Sequence, residues 1–275
     1  MKESESVVST EETYFAERLK KKHNKIITVI SPPRCASTAF ARIFWQHPDI
    51  NYYSHEPFET LYYSGAPIGE VYSSLENPIC LNNEYQGKDQ TVGTGLIIKE
   101  MPYQIGDRFD FYLRLATEPM LFLVRDPRLS IYSRMQKKIE KGSSPFFPLS
   151  ESGWFLIKKQ IDRCKELKAP FMVVDTTILR TSPSTVLKKL FSRLSLNYVE
   201  NLLEWENASN ITLDNLNGDH NHLYGRVLSS NKLEPPNEII PDIEMFPIKG
   251  QMRQHVLESM EVFSDIVAMD EFINI

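Results

Sequence analysis

Cysteine is scarce in this chain of 275 residues: Cys35, Cys80 and Cys164 are the only three, and they share no paired spacing. That pattern speaks against a disulfide framework and a zinc site, and it is the cysteine usage of a reducing, cytoplasmic compartment. Long hydrophobic runs are also missing. The N-terminal MKESESVVSTEETYFAERLKKKHNK has no apolar core of a secretory signal, and no later stretch is long enough to span a bilayer, so no membrane partner is expected. There is no excess of positive charge either. The 31 Lys and Arg face 36 Asp and Glu, a net charge of -5 that leaves no footprint for nucleic acid, so any anion site has to be built locally from a few placed cations. No internal repeat or low-complexity tract is present.

One absence is local. Residues 26–44, IITVISPPRCASTAFARIF, read as an apolar strand, a tight turn and a helix start, the place where parallel α/β proteins hold phosphate. Yet the turn has no glycine and no Gly-Lys-Ser/Thr ending, so it is not an ATP–magnesium loop.

What is present is a regular alternation of short β-rich runs with helical spacing, which predicts one α/β domain with a central parallel sheet flanked by helices, of the P-loop nucleotide-fold type. Strands are expected over 25–30, 50–54, 95–99, 120–124 and 171–174. Helices are expected over 37–46, 108–117, 129–140 and 153–168. The stretch TSPSTVLKKLFSRLSL adds a helix with Ser182 as its cap, Pro183 in its first turn and Val186, Leu187, Leu190 and Leu194 on one face. Residues 1–24 form a helical extension ahead of the domain at 25–275, and 251–272 a C-terminal helix. The stretches 64–93 and 207–247 read as pocket-shaping loops.

In the turn at 31–38, helix-start N–H groups at Cys35 and Ala36, hydroxyls on Ser37 and Thr38 and the guanidinium of Arg34 can together hold a phosphate or sulfate. A helix cap plus a surface ion pair would use the same residues. A second strand–turn–helix, LFLVRDPRLSIYSRMQKK, places Arg125 at a strand end and Ser133 eight residues later, the pairing of fork and hydroxyl that clamps one phosphate.

Together these two clusters resemble the cofactor motifs of the sulfotransferase family. There a Pro-Lys/Arg-Ser-Gly-Thr/Ser-Thr loop holds the 5′-phosphosulfate of 3′-phosphoadenosine 5′-phosphosulfate (PAPS), and an Arg with a Ser eight residues on holds the 3′-phosphate. Pro33-Arg34-Cys35-Ala36-Ser37-Thr38 matches the first motif, Arg125 with Ser133 the second, and MVVDTTILRTSPSTVLKKLFSRLSL resembles the strand, turn and helix that follow. The resemblance runs from about Lys25 to Leu196 and is nearer to bacterial than to cytosolic aryl-type members. It departs at Cys35 for Ser, at Ala36 for Gly, and at Ala39 where many members carry an adenine-stacking aromatic.

The resemblance implies a PAPS-dependent transferase without a metal, acting on a hydroxyl or amine of a small-molecule or carrier-bound acceptor. Arg34 would offset charge on the leaving phosphate. Glu56, just past the second strand, is the first candidate base, with His55 beside it; members place a Glu or His in this region. Lys99 and Glu100 arrive at the same rim, Lys99 as a sulfuryl contact and Glu100 as another possible base, while Met101 stands where cytosolic members carry a His. In HNHLYGRVLSS, with His222, Gly225 and Arg226, the resemblance implies a 3′-phosphate contact for Arg226. The rival readings are a non-catalytic nucleotide-fold protein, suggested by the degenerate Cys35-Ala36, and, less in keeping with the loop, a small P-loop kinase.

Overall fold

The computed structural model describes residues 10–81, 94–213, 215–216, 220 and 223–274. The first helix, α1 (Thr10–Lys22), runs directly into β1 (His23–Ile30), and α2 (Ser37–Trp45) follows the tight turn. Next come β2 (Tyr52–His55), α3 (Glu59–Ser64), α4 (Ile68–Glu76), β3 (Ile79–Cys80) and β4 (Thr94–Glu100). Then follow α5 (Pro102–Ile105), α6 (Phe109–Leu115), β5 (Met120–Val124), α7 (Pro127–Glu140), α8 (Trp154–Glu166) and β6 (Phe171–Asp175). The chain continues with α9 (Thr176–Thr181), α10 (Pro183–Arg193), α11 (Gly225–Ser229) and α12 (Met252–Val267).

The six strands form one sheet in the order β3-β2-β4-β1-β5-β6. β2, β4, β1, β5 and β6 pair in parallel and the two-residue β3 is antiparallel to β2. Parallel strands covered by helices on both faces are apolar on both faces, which is why Met120–Val124 and Phe171–Asp175 read as unbroken buried runs. One core lies on the α1, α6, α8 and α12 side, around Phe15, Phe111, Trp154 and Val256. The other lies on the α2 and α10 side, around Phe40, Phe44, Leu187 and Phe191. Gly95 is required by a close approach: a Cβ there would lie 2.1 Å from the Asp49 carbonyl oxygen.

All five expected strands are present, within two residues at each end. Five findings differ from expectation. The stretch 64–93, expected as loop, contains α4 and β3, with Val71, Tyr72 and Leu75 buried; its residues 82–93 lie outside those described, as do residues 1–9 of the extension. The helical extension is part of the core, since Phe15 stacks on Tyr72 at 4.3 Å and meets Phe111 at 6.2 Å. A short extra helix, α9, precedes α10; Asp175 caps it by accepting from Thr177 N (2.6 Å) and Ile178 N (3.3 Å). Ser182 stands at the head of α10 but its side chain makes no capping bond, because the turn out of α9 sets its backbone at φ -134, ψ 59. Finally, α12 stops at Val267, and the following residues run beside β6, with Val173 N bonding Glu271 O (3.0 Å) and Ile273 N bonding Val173 O (2.9 Å). That tail covers the exposed edge of the sheet.

Candidate active site

The order of the strands puts β1 between β4 and β5, whose connections lead to opposite sides of it, and ligands in such sheets sit beyond the carboxyl ends at that switch. A cavity of about 780 Å³ opens there. Its lining includes Arg34, Ser37 and Thr38 after β1, Glu56 after β2, Lys99 at the end of β4, Arg125 after β5 and Ser133 on α7. Basic side chains outnumber acidic ones around it, so a positive site is built into a negatively charged chain.

The turn between β1 and α2 is achieved without glycine by holding two ordinary residues in the left-handed region. Arg34 has φ 64 and Ala36 has φ 56 with ψ 25. Such backbone costs an L-residue about 1–2 kcal/mol each. Ala36 caps α2 without a side-chain bond, and Phe40 N reaches back to Ala36 O at 3.0 Å. No side chain therefore competes for the first-turn N–H groups, which are the natural donors to an anion. Cys35 is wholly buried, its Sγ 3.8 Å from Pro33 O, and burial pushes its thiol up to about 12. It is packing, inert as a nucleophile, and only its backbone can belong to the cradle.

The two clusters legible in the sequence meet in space. Arg34 Nε donates to Ser133 Oγ (3.3 Å), and Arg125 Nη1 donates to the carbonyl of Arg34 (3.1 Å). Burial and the neighbouring Arg125 charge lower the pKa of Arg34. Arg125 is itself buried, and its Nε has no hydrogen-bond partner among the described residues.

At the other end of the cavity Glu56 is buried, with φ 45. Burial opposes its ionisation, but the charges of Lys99 and His55 and hydrogen bonds from Lys99 and Gln104 outweigh that and hold Glu56 down at about 2. Lys99 Nζ contacts Oε1, His55 Nε2 lies 3.4 Å from Oε1, Gln104 Nε2 donates to Oε2 (2.8 Å) and Tyr224 OH donates to Oε1 (3.3 Å). His55 is 4% exposed, bonds Tyr53 OH through Nδ1 and packs edge-on to Tyr224, behind the cavity wall. Glu100 turns the other way. It accepts from Phe58 N (2.9 Å), Met101 N (2.9 Å) and Tyr112 OH (3.1 Å), and burial together with the Glu56 charge pushes it up to about 8. Of the three candidate bases only Glu56 lines the cavity. Lys99, expected as a sulfuryl contact, lines the cavity as the partner of Glu56. Arg226 sits on the rim, exposed and paired with Glu234 at 2.7 Å; His222 lies outside the described residues.

Several contributors were not read from the sequence. Gln104 and Tyr224 reach Glu56 from α5 and from the segment before α11, with no local motif to signal them. Tyr63 and Tyr103 also line the cavity, and their hydroxyls bond each other at 3.0 Å. Buried Arg42 donates to the carbonyls of Val227 (2.5 Å), Leu228 (3.2 Å), Ser230 (3.3 Å) and Glu206 (2.5 Å), tying the covering segment to α2. Charged Arg in the middle of an apolar helix, ARIFW, was the available signal. No group of residues able to hold a metal ion occurs among the described residues, and no helix there is long and apolar enough to cross a membrane.

A mostly parallel sheet flanked by helices, with a tight strand–turn–helix at its switch point, has the architecture of the P-loop-type α/β fold. More narrowly, it is the sulfotransferase fold. The sulfotransferase domain of the Synechococcus PCC 7002 olefin synthase matches with a TM-score of 0.51 at 16% identity, over 87% of this chain and 94% of that one. The sulfotransferase domain of the curacin biosynthetic pathway matches at 0.49 and 14% identity, over 87% and 97%. A mouse sulfotransferase, SULT7A1, complexed with PAP, matches at 0.44 and 11%, over 95% and 90%. No protein-family model and no curated protein sequence matches the chain.

Proposed function

We propose that the protein transfers a sulfuryl group from PAPS to a hydroxyl of an acceptor held beside Glu56. The observation that carries this reading is the convergence of Arg34, Ser133 and Arg125 on one uncapped helix start at the head of the cavity. The donor set suits a nucleotide with two separated phosphate groups. Arg125 has a buried nitrogen without a partner among the described residues, the first turn of α2 has N–H groups that no side chain caps, and Ser37 and Thr38 add hydroxyls.

When bound, PAPS supplies an activated sulfuryl group on a phosphate leaving group. Arg34 and the N–H groups of Ser37 and Thr38 bind the 5′ end and offset charge that grows on the leaving oxygen. Arg125 and Ser133 fix the 3′-phosphate and with it the register of the nucleotide. Glu56 takes the proton of the acceptor hydroxyl. At about 2 it is a weak base, but it is ionised at neutral pH, which a proton acceptor must be. Lys99, Gln104 and Tyr224 hold its carboxylate in one orientation. Glu100, kept largely protonated below about 8, lets Glu56 carry the single negative charge of the pair. Tyr63 and Tyr103 give the acceptor end an aromatic wall.

Thermal shift with adenosine 3′,5′-bisphosphate against ATP–Mg tests this reading. Stabilisation by the bisphosphate is expected, and at a concentration of 100 Kd it amounts to about 2.7 kcal/mol. A response to ATP–Mg alone would refute the reading, and a response to neither would favour a non-catalytic role.

A further inference from the structure

Arg180, near the end of α9, lines the same cavity as Arg125, and one carboxylate stands between them. Glu238 Oε1 is 3.0 Å from Arg125 Nη2 and 3.1 Å from Arg180 Nη1, while Oε2 is 3.3 Å from Arg180 Nη1 and accepts from Asn237 N at 3.1 Å. The two arginine side chains are 7% and 10% exposed and that of Glu238 is 36% exposed, so the acid is the end of the cluster that can reach solvent. Arg180 is fixed independently, since its Nε donates to Glu234 O (2.9 Å) and its Nη2 to Pro235 O (2.9 Å). If the Glu238 side chain swings out, Arg180 stays where it is and its Nη1 becomes available to the cavity.

Two guanidiniums answered by one carboxylate leave a surplus positive charge, whereas a phosphomonoester dianion balances both and offers three acceptor oxygens. We propose that Glu238 is an internal occupant of a phosphate subsite built by Arg125 and Arg180, displaced by the 3′-phosphate of the nucleotide, and that Arg180 then becomes a ligand of that phosphate. This rests on the nucleotide reading given above. The free protein is thereby self-neutralised against weak monoanions, and a ligand enters only by outcompeting the carboxylate. The released carboxylate regains water, so the exchange is nearly balanced and sensitive to single substitutions.

The test is calorimetric titration of the full chain with adenosine 3′,5′-bisphosphate and, separately, adenosine 5′-monophosphate, for wild type, Glu238→Gln, Arg180→Ala and Arg180→Lys. Glu238→Gln should tighten bisphosphate binding about three- to tenfold, the worth of partly exposed ion pairs, leave the monophosphate unchanged, and lower the melting temperature of the ligand-free protein. Arg180→Ala should weaken the bisphosphate at least tenfold and the monophosphate far less, with Arg180→Lys in between. A merely structural Glu238 would lower the melting temperature with no gain in affinity, and that result overturns the proposal while leaving the nucleotide reading standing. An unchanged ratio of the two affinities in Arg180→Ala overturns the role of Arg180. Binding of the bisphosphate by no variant overturns both this proposal and the reading it rests on.

Discussion

Replacing Ala36 with glycine is expected to make the protein more stable, the reverse of the usual effect of glycine beside a helix. Ala36 has φ 56 and ψ 25, a conformation that costs an L-residue about 1–2 kcal/mol and glycine almost nothing. Glycine enlarges the conformational freedom of the unfolded chain, which takes back about 0.4–1 kcal/mol. The net gain is about 0.5–1 kcal/mol, or roughly 1–3 °C in melting temperature for a domain of this size. The control is Ala41→Gly, in the buried interior of the same helix, where glycine should cost about 1 kcal/mol. Both are read by thermal melts at one pH and concentration. Bisphosphate affinity of Ala36→Gly should stay within about twofold of wild type, because the backbone donors already stand in the conformation glycine prefers. If Ala36→Gly melts lower than wild type, as the control should, the turn is not strained as described and the explanation of a glycine-free phosphate loop fails.

Three other expectations concern the charges. Glu56→Gln should lower turnover about 10²–10⁴-fold while bisphosphate affinity changes little; an unchanged rate would move the proton acceptor elsewhere. Arg125→Ala should weaken adenosine 3′,5′-bisphosphate far more than adenosine 5′-monophosphate, and equal losses would remove its assignment to the 3′-phosphate. Glu100 is pushed up to about 8 from an ordinary 4.5, so between those values the folded protein holds a proton the unfolded chain has released. Stability should therefore fall as pH rises from about 6.5 to about 8, by up to about 1.4 kcal/mol per unit, and Glu100→Gln should flatten that slope in denaturant titrations; below about 6.5 buried His23, held down at about 4, contributes the opposite slope. Glu56 does not mask this, because its contribution is lost only as pH falls from about 4.5 through about 2.

The sheet was legible because its strands are buried on both faces and read as apolar runs, and the amphipathic helices because their periodicity spans several turns. The short elements α3, α5 and α9 were not, since four to six residues carry too little periodicity to register. In the site, Arg34, Ser37, Thr38, Arg125 and Ser133 were found together because a strand–turn–helix fixes each side chain by local geometry. Glu238 and Tyr224 were not, because they reach the cavity from irregular segments far from any strand end, and Arg180 was not, because it lies on the six-residue α9. The direction of Glu100 is set by hydrogen bonds from Phe58 N, Met101 N and Tyr112 OH, two of them from residues distant in the sequence.

Arg42 grips main-chain oxygens of the covering segment, at 206, 227, 228 and 230, and its guanidinium also lies over the ring of Trp205, 5.0 Å from the ring centroid. The four carbonyl contacts do not depend on the side-chain identities of the residues they hold, whereas the ring contact requires Trp205. Exposed positions of the covering segment, such as Arg226 and Ser229, can therefore change while its main-chain anchorage to α2 stays the same. Exchanging Arg42 itself would remove all four of these ties between the covering segment and α2 at once.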